Sequence, residues 1–191
     1  TNCIEMNWWD KHIIDIPAPS TSTSTEAEAL VPKTIEVSFT PAKHWTARHF
    51  FDRNTCLWGS FVIHSPEIRM KANQNDHDHN HKHKHNENND DEIIIPAKKV
   101  FFSGDTAYCD VFKKIGKRYG PFDLSFIPIG AYEPRYFMKH HHCNPEEALQ
   151  IHRDLNSNKS LAIHWGTFPL ADEDIVEPAL ELGRCRDLSS D

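Results

Sequence analysis

The 191 residues contain no run of 18 apolar side chains, so none of the chain reads as a membrane-spanning helix. Positive charge is in deficit as well: 21 Lys and Arg stand against 28 Asp and Glu, a net charge of −7. A protein that grips a phosphate backbone needs a basic face, so a nucleic-acid partner is not expected. There is no Cys-x-x-Cys pair. Cys3, Cys56, Cys109, Cys143 and Cys185 are odd in number and scattered, which fits free thiols in a reducing compartment better than a disulfide framework. Neither a Met nor a signal-peptide pattern opens the chain, so a processed or truncated product is expected. Hydrophobic residues make up only 38%, but much of that shortfall sits in two polar segments. The remainder suits one domain, or one lobe of a larger one.

The first dozen residues, with Trp8 and Trp9, are apolar enough to be structured. Ile16 to Pro32 is rich in Pro, Ser, Thr and Ala and is expected to be a long loop. From Lys33 to Thr40 the chain alternates, with Ile35, Val37 and Phe39 on one side and Thr34, Glu36 and Ser38 on the other: a half-buried strand ending at Pro41. Cys56 to Ile63 is a second strand. Residues 71–92 are Asn, Asp, His and Lys with almost no apolar side chain, so they cannot offset their ordering entropy and are expected to be disordered. The alternating His77, His79, His81, His83 and His85 make this segment either a metal-binding tract or a tolerated loop insertion.

Order is expected again from Val100, as a buried strand. A helix follows over 108–119, with Val111, Phe112, Ile115 and Tyr119 along one side and Gly120 as its stop. Phe122 to Ile129 is a strand. Asn144-Pro145-Glu146-Glu147 combines an N-cap, a Pro in the first turn and an acid three residues on, so a helix is expected to about Leu155. Ser160 to Trp165 is a strand, and a last helix is expected from Ala171, disturbed by Pro178 and stopped by Gly183. Strands alternating with helices define an α/β layered fold.

Three short strings place chemistry at strand ends: Pro-Ala-Lys-His44-Trp, Ser-Gly-Asp105-Thr and Ala-Ile-His164-Trp-Gly. Two imidazoles and a carboxylate are side chains that a catalytic zinc uses, and in layered α/β folds active groups collect beyond strand ends. Each residue also has a plain structural role open to it. His44 fits an exposed or structural histidine, Asp105 fits a cap for the following helix, and His164 fits a core histidine. Cys143 fits either a nucleophile beside His142 or a filler at a helix entry.

The strings belong to a longer ordered series: Phe102-Ser-Gly-Asp-Thr-Ala-Tyr108, Ile115-Gly-Lys-Arg-Tyr-Gly-Pro-Phe-Asp123, Ile127-Pro-Ile-Gly-Ala-Tyr-Glu-Pro-Arg135, Asn144-Pro-Glu-Glu-Ala148 and Ala162-Ile-His-Trp-Gly-Thr-Phe168. That series resembles the C-terminal half of the metallo-β-lactamase superfamily, and within it the phospholipases D that hydrolyse N-acylphosphatidylethanolamine. The resemblance runs from about Trp8 to Leu182. It implies residues 1–182 as the C-terminal part of an αββα sandwich, interrupted by the insertion at 71–92, and residues 183–191 as a divergent tail.

The resemblance also implies a two-zinc site. His44 would complete the ligands of the first zinc, Asp105 would bridge both, and His164 would bind the second. His142 would orient the substrate phosphate or help proton transfer, with His140 and His141 as bystanders. Tyr136 and Phe137, within Arg135-Tyr-Phe-Met-Lys139, would contact the lipid, unless they are simply buried beside the site. The implied products are phosphatidic acid and an N-acylethanolamine. A homodimer, a phospholipid substrate at a membrane surface and an intracellular, peripheral membrane location follow from the same resemblance. The Asn/His/Asp-rich insertion is similar to those of fungal members, some of them mitochondrial.

One family motif is lacking. Residues 1–43 hold only His12, so the His-x-His-x-Asp-His string that supplies four further ligands has no counterpart, and an incomplete, inactive portion of a larger product is one expectation. Other metallo-β-lactamase-fold hydrolases, such as sugar-phosphate lactonases, remain an alternative, as does a non-catalytic metal-binding protein built around the His tract.

Overall fold

A computed structural model describes residues 3–16, 34–47, 49–71 and 92–188. The loop expected from Ile16 to Pro32 and the low-complexity insertion lie outside the described residues, apart from Ile16, Lys71 and Glu92.

Eight strands and four helices are described: β1 Lys11–Asp15, β2 Thr34–Pro41, β3 Gly59–Ser65, β4 Ile68–Lys71, β5 Glu92–Ile95, β6 Lys98–Phe102, α1 Val111–Tyr119, β7 Leu124–Pro128, α2 Arg135–Met138, α3 Pro145–Asp154, β8 Ser160–Ile163 and α4 Glu177–Leu188. Six strands form one mixed sheet in the order β1-β2-β3-β6-β7-β8. The first three pairings are antiparallel, and β6-β7 and β7-β8 are parallel. Each parallel pair is joined by a crossover that contains a helix, α1 and then α3, as parallel neighbours require. β4 and β5 pair with each other at the base of the insertion. Strand structure is therefore described from Glu92, ahead of the expected Val100.

The core lies between one face of the sheet and α1 and α3. Phe101 and Val62 of the sheet meet Phe112 and Ile115 of α1 and Ile151 of α3, with Phe122 and Leu155 closing the ends. Phe112, Ile115 and Tyr119 fall three and four residues apart and make the buried face of α1. Gly116 lets α1 close on the end of α3, because a Cβ there would collide with the Asp154 carbonyl oxygen. The helix starts at Val111 rather than at 108. Ala107 is tied to Lys43 by a β-bridge, and the Tyr108 hydroxyl donates to Asp154 at 2.7 Å, which keeps this stretch out of helical geometry.

α3 begins as its sequence dictates. The Asn144 side chain accepts from the Glu147 N–H at 2.9 Å and Glu147 accepts from the Asn144 N–H at 3.2 Å, a reciprocal capping box. Asn144→Ala is expected to cost about 1 kcal/mol of stability, read as a shift in denaturation midpoint at constant m value. α4 corrects an expectation. Pro178 is its second residue, a position that tolerates a missing N–H, so it helps to start the helix. Gly183 has nothing within reach of a Cβ and lies inside the helix, which continues to Leu188.

The strand faces are also reversed from the expectation of buried apolar alternation. In β2, Ser38 and Thr40 point to the helix-covered side and are fully buried, and Thr40 is paired with Ser60 of β3 at 2.8 Å. Phe39 points the other way. The register aligns Phe39, Phe61, Phe102, Phe126 and Leu161 in one row across five strands, with Phe61, Phe102 and Leu161 exposed. β6 is accordingly buried on one face only, through Phe101. β3 begins at Gly59, three residues later than expected, and runs to Ser65. The molecule is one half of an α/β/β/α sandwich: helices on one side of the sheet, and an apolar sheet surface on the other.

Candidate metal centre

β2 is antiparallel to β3, and β3 to β6, so β2 runs in the same direction as β6, β7 and β8. Their carboxyl ends share one edge of the sheet. His44 follows β2, Asp105 follows β6, His142 lies beyond β7 and α2, and His164 follows β8. Four segments remote in sequence thus meet where α/β sheets bind ligands.

Each side chain is held by identifiable contacts. Lys43 accepts the Ala107 N–H at 2.8 Å and donates its own N–H to the Thr106 hydroxyl at 3.0 Å, which seats the His44 loop against the Asp105 loop. His44 Nδ1 lies 2.7 Å from the Trp45 carbonyl oxygen. A carbonyl can only accept, so Nδ1 carries the proton and Nε2 keeps its lone pair for a ligand. The His44 ring stacks on Trp58 at 4.4 Å, and the Trp58 indole donates to the Asp105 carbonyl at 2.7 Å, so one tryptophan orients two site residues. His142 donates its N–H to Met138 at 2.9 Å, and its carbonyl accepts from Arg135 at 2.8 Å. Arg135 is itself paired with Glu147. His164 sits just past β8 with φ 59°, in the left-handed region that a non-glycine residue enters at a cost of about 1–2 kcal/mol.

The donor atoms converge. One ligand atom each from His44, Asp105 and His142 lie within 4.8 Å of one another. His164 Nε2 is 3.5 Å from Asp105 Oδ1, and the His164 and His142 rings stack at 4.8 Å. Burial pushes His142 down to about 4, helped by the neighbouring His164 and opposed by Asp105. It is therefore neutral at cellular pH with its lone pair available. The buried Nδ1 atoms of His141, His142 and His164 have no hydrogen-bond partner among the described residues. A cluster that brings imidazole nitrogens and one carboxylate together suits a divalent cation of intermediate hardness.

The cap role open to Asp105 is excluded by position, since α1 starts six residues later behind Asp110. Cys143 is the filler: it is fully buried, its thiol donates to the Pro128 carbonyl at 3.2 Å, and burial first and Glu147 second push its pKa up to about 12. A thiol this protonated is a poor nucleophile. Iodoacetamide at pH 8 is expected to label the exposed Cys3 and Cys56 in the folded protein and to reach Cys143 only after unfolding, as read by peptide mass spectrometry.

Several contributors were not visible in sequence. His141, expected to be a bystander, faces His44 with ring centroids 6.0 Å apart and packs on Phe137 at 5.7 Å. His140 stays exposed. Phe137, 58% exposed, therefore touches the histidine cluster through His141. Tyr136 is 80% exposed and has no hydrogen bond or ring contact to the histidines among the described residues. Trp58, Arg135 and Glu147 act through contacts that span from 7 to 47 residues of sequence.

A family model described as the β-lactamase superfamily domain matches residues 58–165, more than half of the chain. The chain belongs to this superfamily, in its metallo-β-lactamase form. More particularly, it is 38% identical over 161 residues to the N-acyl-phosphatidylethanolamine-hydrolyzing phospholipase D 1 of Caenorhabditis elegans, a match covering 83% of this chain and 37% of that protein. It is 30% identical over 185 residues to the mitochondrial N-acyl-phosphatidylethanolamine-hydrolyzing phospholipase D of Saccharomyces cerevisiae, covering 95% of this chain and 30% of that one. The chain thus spans about a third of the length of these relatives. Among solved structures, Igni18, a metallo hydrolase of Ignicoccus hospitalis, aligns with a TM-score of 0.46 and 19% identity over 80% of this chain and 46% of that one, a distant likeness. No described helix is long and apolar enough to cross a membrane.

Proposed function

We propose that this chain forms part of a metal-dependent phosphodiesterase of phospholipase D type, which hydrolyses N-acylphosphatidylethanolamine to an N-acylethanolamine and phosphatidic acid. The observation that carries the reading is the convergence of His44, Asp105, His142 and His164 at one sheet edge. The similarity to the worm and yeast phospholipases supports this choice of substrate class.

His44, Asp105 and His164 would hold the metal, zinc being the first candidate, with Asp105 between the two imidazoles. A bound divalent cation supplies Lewis acidity towards phosphate oxygens and lowers the pKa of water in contact with it. The residues of the chain do the rest. Trp58 fixes the His44 ring and the Asp105 backbone. His142, neutral and facing both His44 and His164, hydrogen-bonds a phosphate oxygen or exchanges a proton at its unpartnered Nδ1. Phe137 and Tyr136 lie on the exposed side of α2, where acyl chains of a lipid in a membrane surface would approach. Phe137→Asp is expected to lower recovery with floated liposomes; unchanged recovery would discard that lipid contact.

The test is an assay of the naturally produced protein on vesicles containing N-acylphosphatidylethanolamine, with metal content measured in parallel. Release of N-acylethanolamine that stops on chelation and returns with zinc supports the proposal. Metal-dependent turnover of a sugar-phosphate lactone instead, with the phospholipid untouched, would replace the substrate assignment. Metal uptake that disappears on deletion of residues 71–92 would favour the tract as a buffer.

A further inference from the structure

Glu173 stands outside every sequence string quoted above, yet its carboxylate joins the two loops that carry His142 and His164. Its Oε1 accepts the backbone N–H groups of Ala131 at 2.6 Å and Tyr132 at 3.2 Å, and its Oε2 accepts that of Glu133 at 2.9 Å. Ala131 has φ 64°, a left-handed turn of the kind that directs successive amides into one anion-binding concavity. Ala131 and Tyr132 are buried, so their N–H groups have no water to fall back on if the carboxylate is removed. The contact runs both ways, because the Asp172 N–H donates to the Glu133 carbonyl at 3.3 Å.

The clamped segment lies between two site residues. Upstream, Gly130 rests on the His164 carbonyl so closely that a Cβ would collide with it. Downstream, Glu133 accepts the Arg135 N–H at 2.8 Å. Arg135 opens α2 and donates to the His142 carbonyl at 2.8 Å. Any movement of residues 131–133 against residues 164–173 therefore moves His142 against His164, whose rings stack at 4.8 Å.

We propose that Glu173 is a positioning residue: by gathering three consecutive amides it locks residues 130–133 against the loop after β8 and so fixes the ligand His164, on whose carbonyl Gly130 rests, relative to Asp105 and His142, and with it the metal affinity and ligand field of the centre. This rests on the metal-centre assignment made above. Glutamine at this place keeps the shape and one acceptor oxygen but turns an NH2 group towards the Glu133 amide, donor against donor. Aspartate keeps both acceptors on a shorter arm.

The experiment is titration of chelator-stripped wild-type, Glu173→Gln and Glu173→Asp proteins with cobalt(II), followed through the visible ligand-field bands, with circular dichroism and thermal melts of the same samples. The expected result is a folded Glu173→Gln protein whose cobalt affinity falls by about 10- to 100-fold with altered bands, and a Glu173→Asp protein that recovers part of the loss. Wild-type affinity and spectrum in Glu173→Gln would overturn the proposal, as would loss of the fold in both variants, which would make the carboxylate a stability element. Failure of the wild-type protein itself to take up cobalt would instead bring down the metal centre, and this proposal with it.

Discussion

Asp105→Asn is expected to abolish metal-dependent hydrolysis, lowering kcat by at least about 10³-fold, while leaving the fold intact. The separation of these two effects follows from its surroundings. The carboxylate is half-buried at a loop, and the described partner of its oxygens is His164 at 3.5 Å, a loose pair of small energetic weight. The backbone of Asp105 is what the structure holds, through the Trp58 indole. The amide keeps that contact and the side-chain shape, but it removes the one negative charge among His44, His142 and His164. A cation held by the remaining imidazoles loses its strongest electrostatic partner. Turnover of N-acylphosphatidylethanolamine and bound metal are measured on the same preparation, alongside the melting temperature. Near-normal turnover with full metal content would remove Asp105 from the centre.

Phe101→Ala is expected to cost about 3–5 kcal/mol, a large share of the roughly 5–15 kcal/mol that holds a typical domain folded. Phe101 is fully buried and meets Phe112 edge-on at 6.3 Å and Phe122 at 5.6 Å. Its removal leaves a cavity walled by a strand, a helix and a loop, none of which can collapse without breaking ladder or helix hydrogen bonds. Phe102, the next residue, points to the uncovered face and is exposed; Phe102→Ala is expected to cost less than about 1 kcal/mol. Urea denaturation of the two variants measures the contrast, and equal losses would contradict the assignment of faces.

These neighbouring phenylalanines also mark how far the sequence could be read. The Val100–Phe102 run was legible as a strand, but an apolar run does not say which face is covered. In β2 the apolar side was visible, yet the covered side proved to be Ser38 and Thr40: small side chains fit under the helices there, and the Thr40 hydroxyl is satisfied by Ser60 across the strand pair. The capping box at Asn144 was legible because its signals are three residues apart. His44, Asp105 and His164 stood out because each follows a strand, and family resemblance tied them together. Trp58, His141, Arg135 and Glu173 did not stand out. Their significance lies in what they touch, and those partners are as far away in the chain as His44 is from His141.

The row from Phe39 to Leu161 has a consequence for handling the molecule. An aromatic sheet face open to water is stabilised by any second surface laid over it, whether another polypeptide or another copy of this one. Mass action then couples its denaturation midpoint to how much protein is in the tube. Melts run at several dilutions, with and without a mild detergent, are the natural first measurement on this chain.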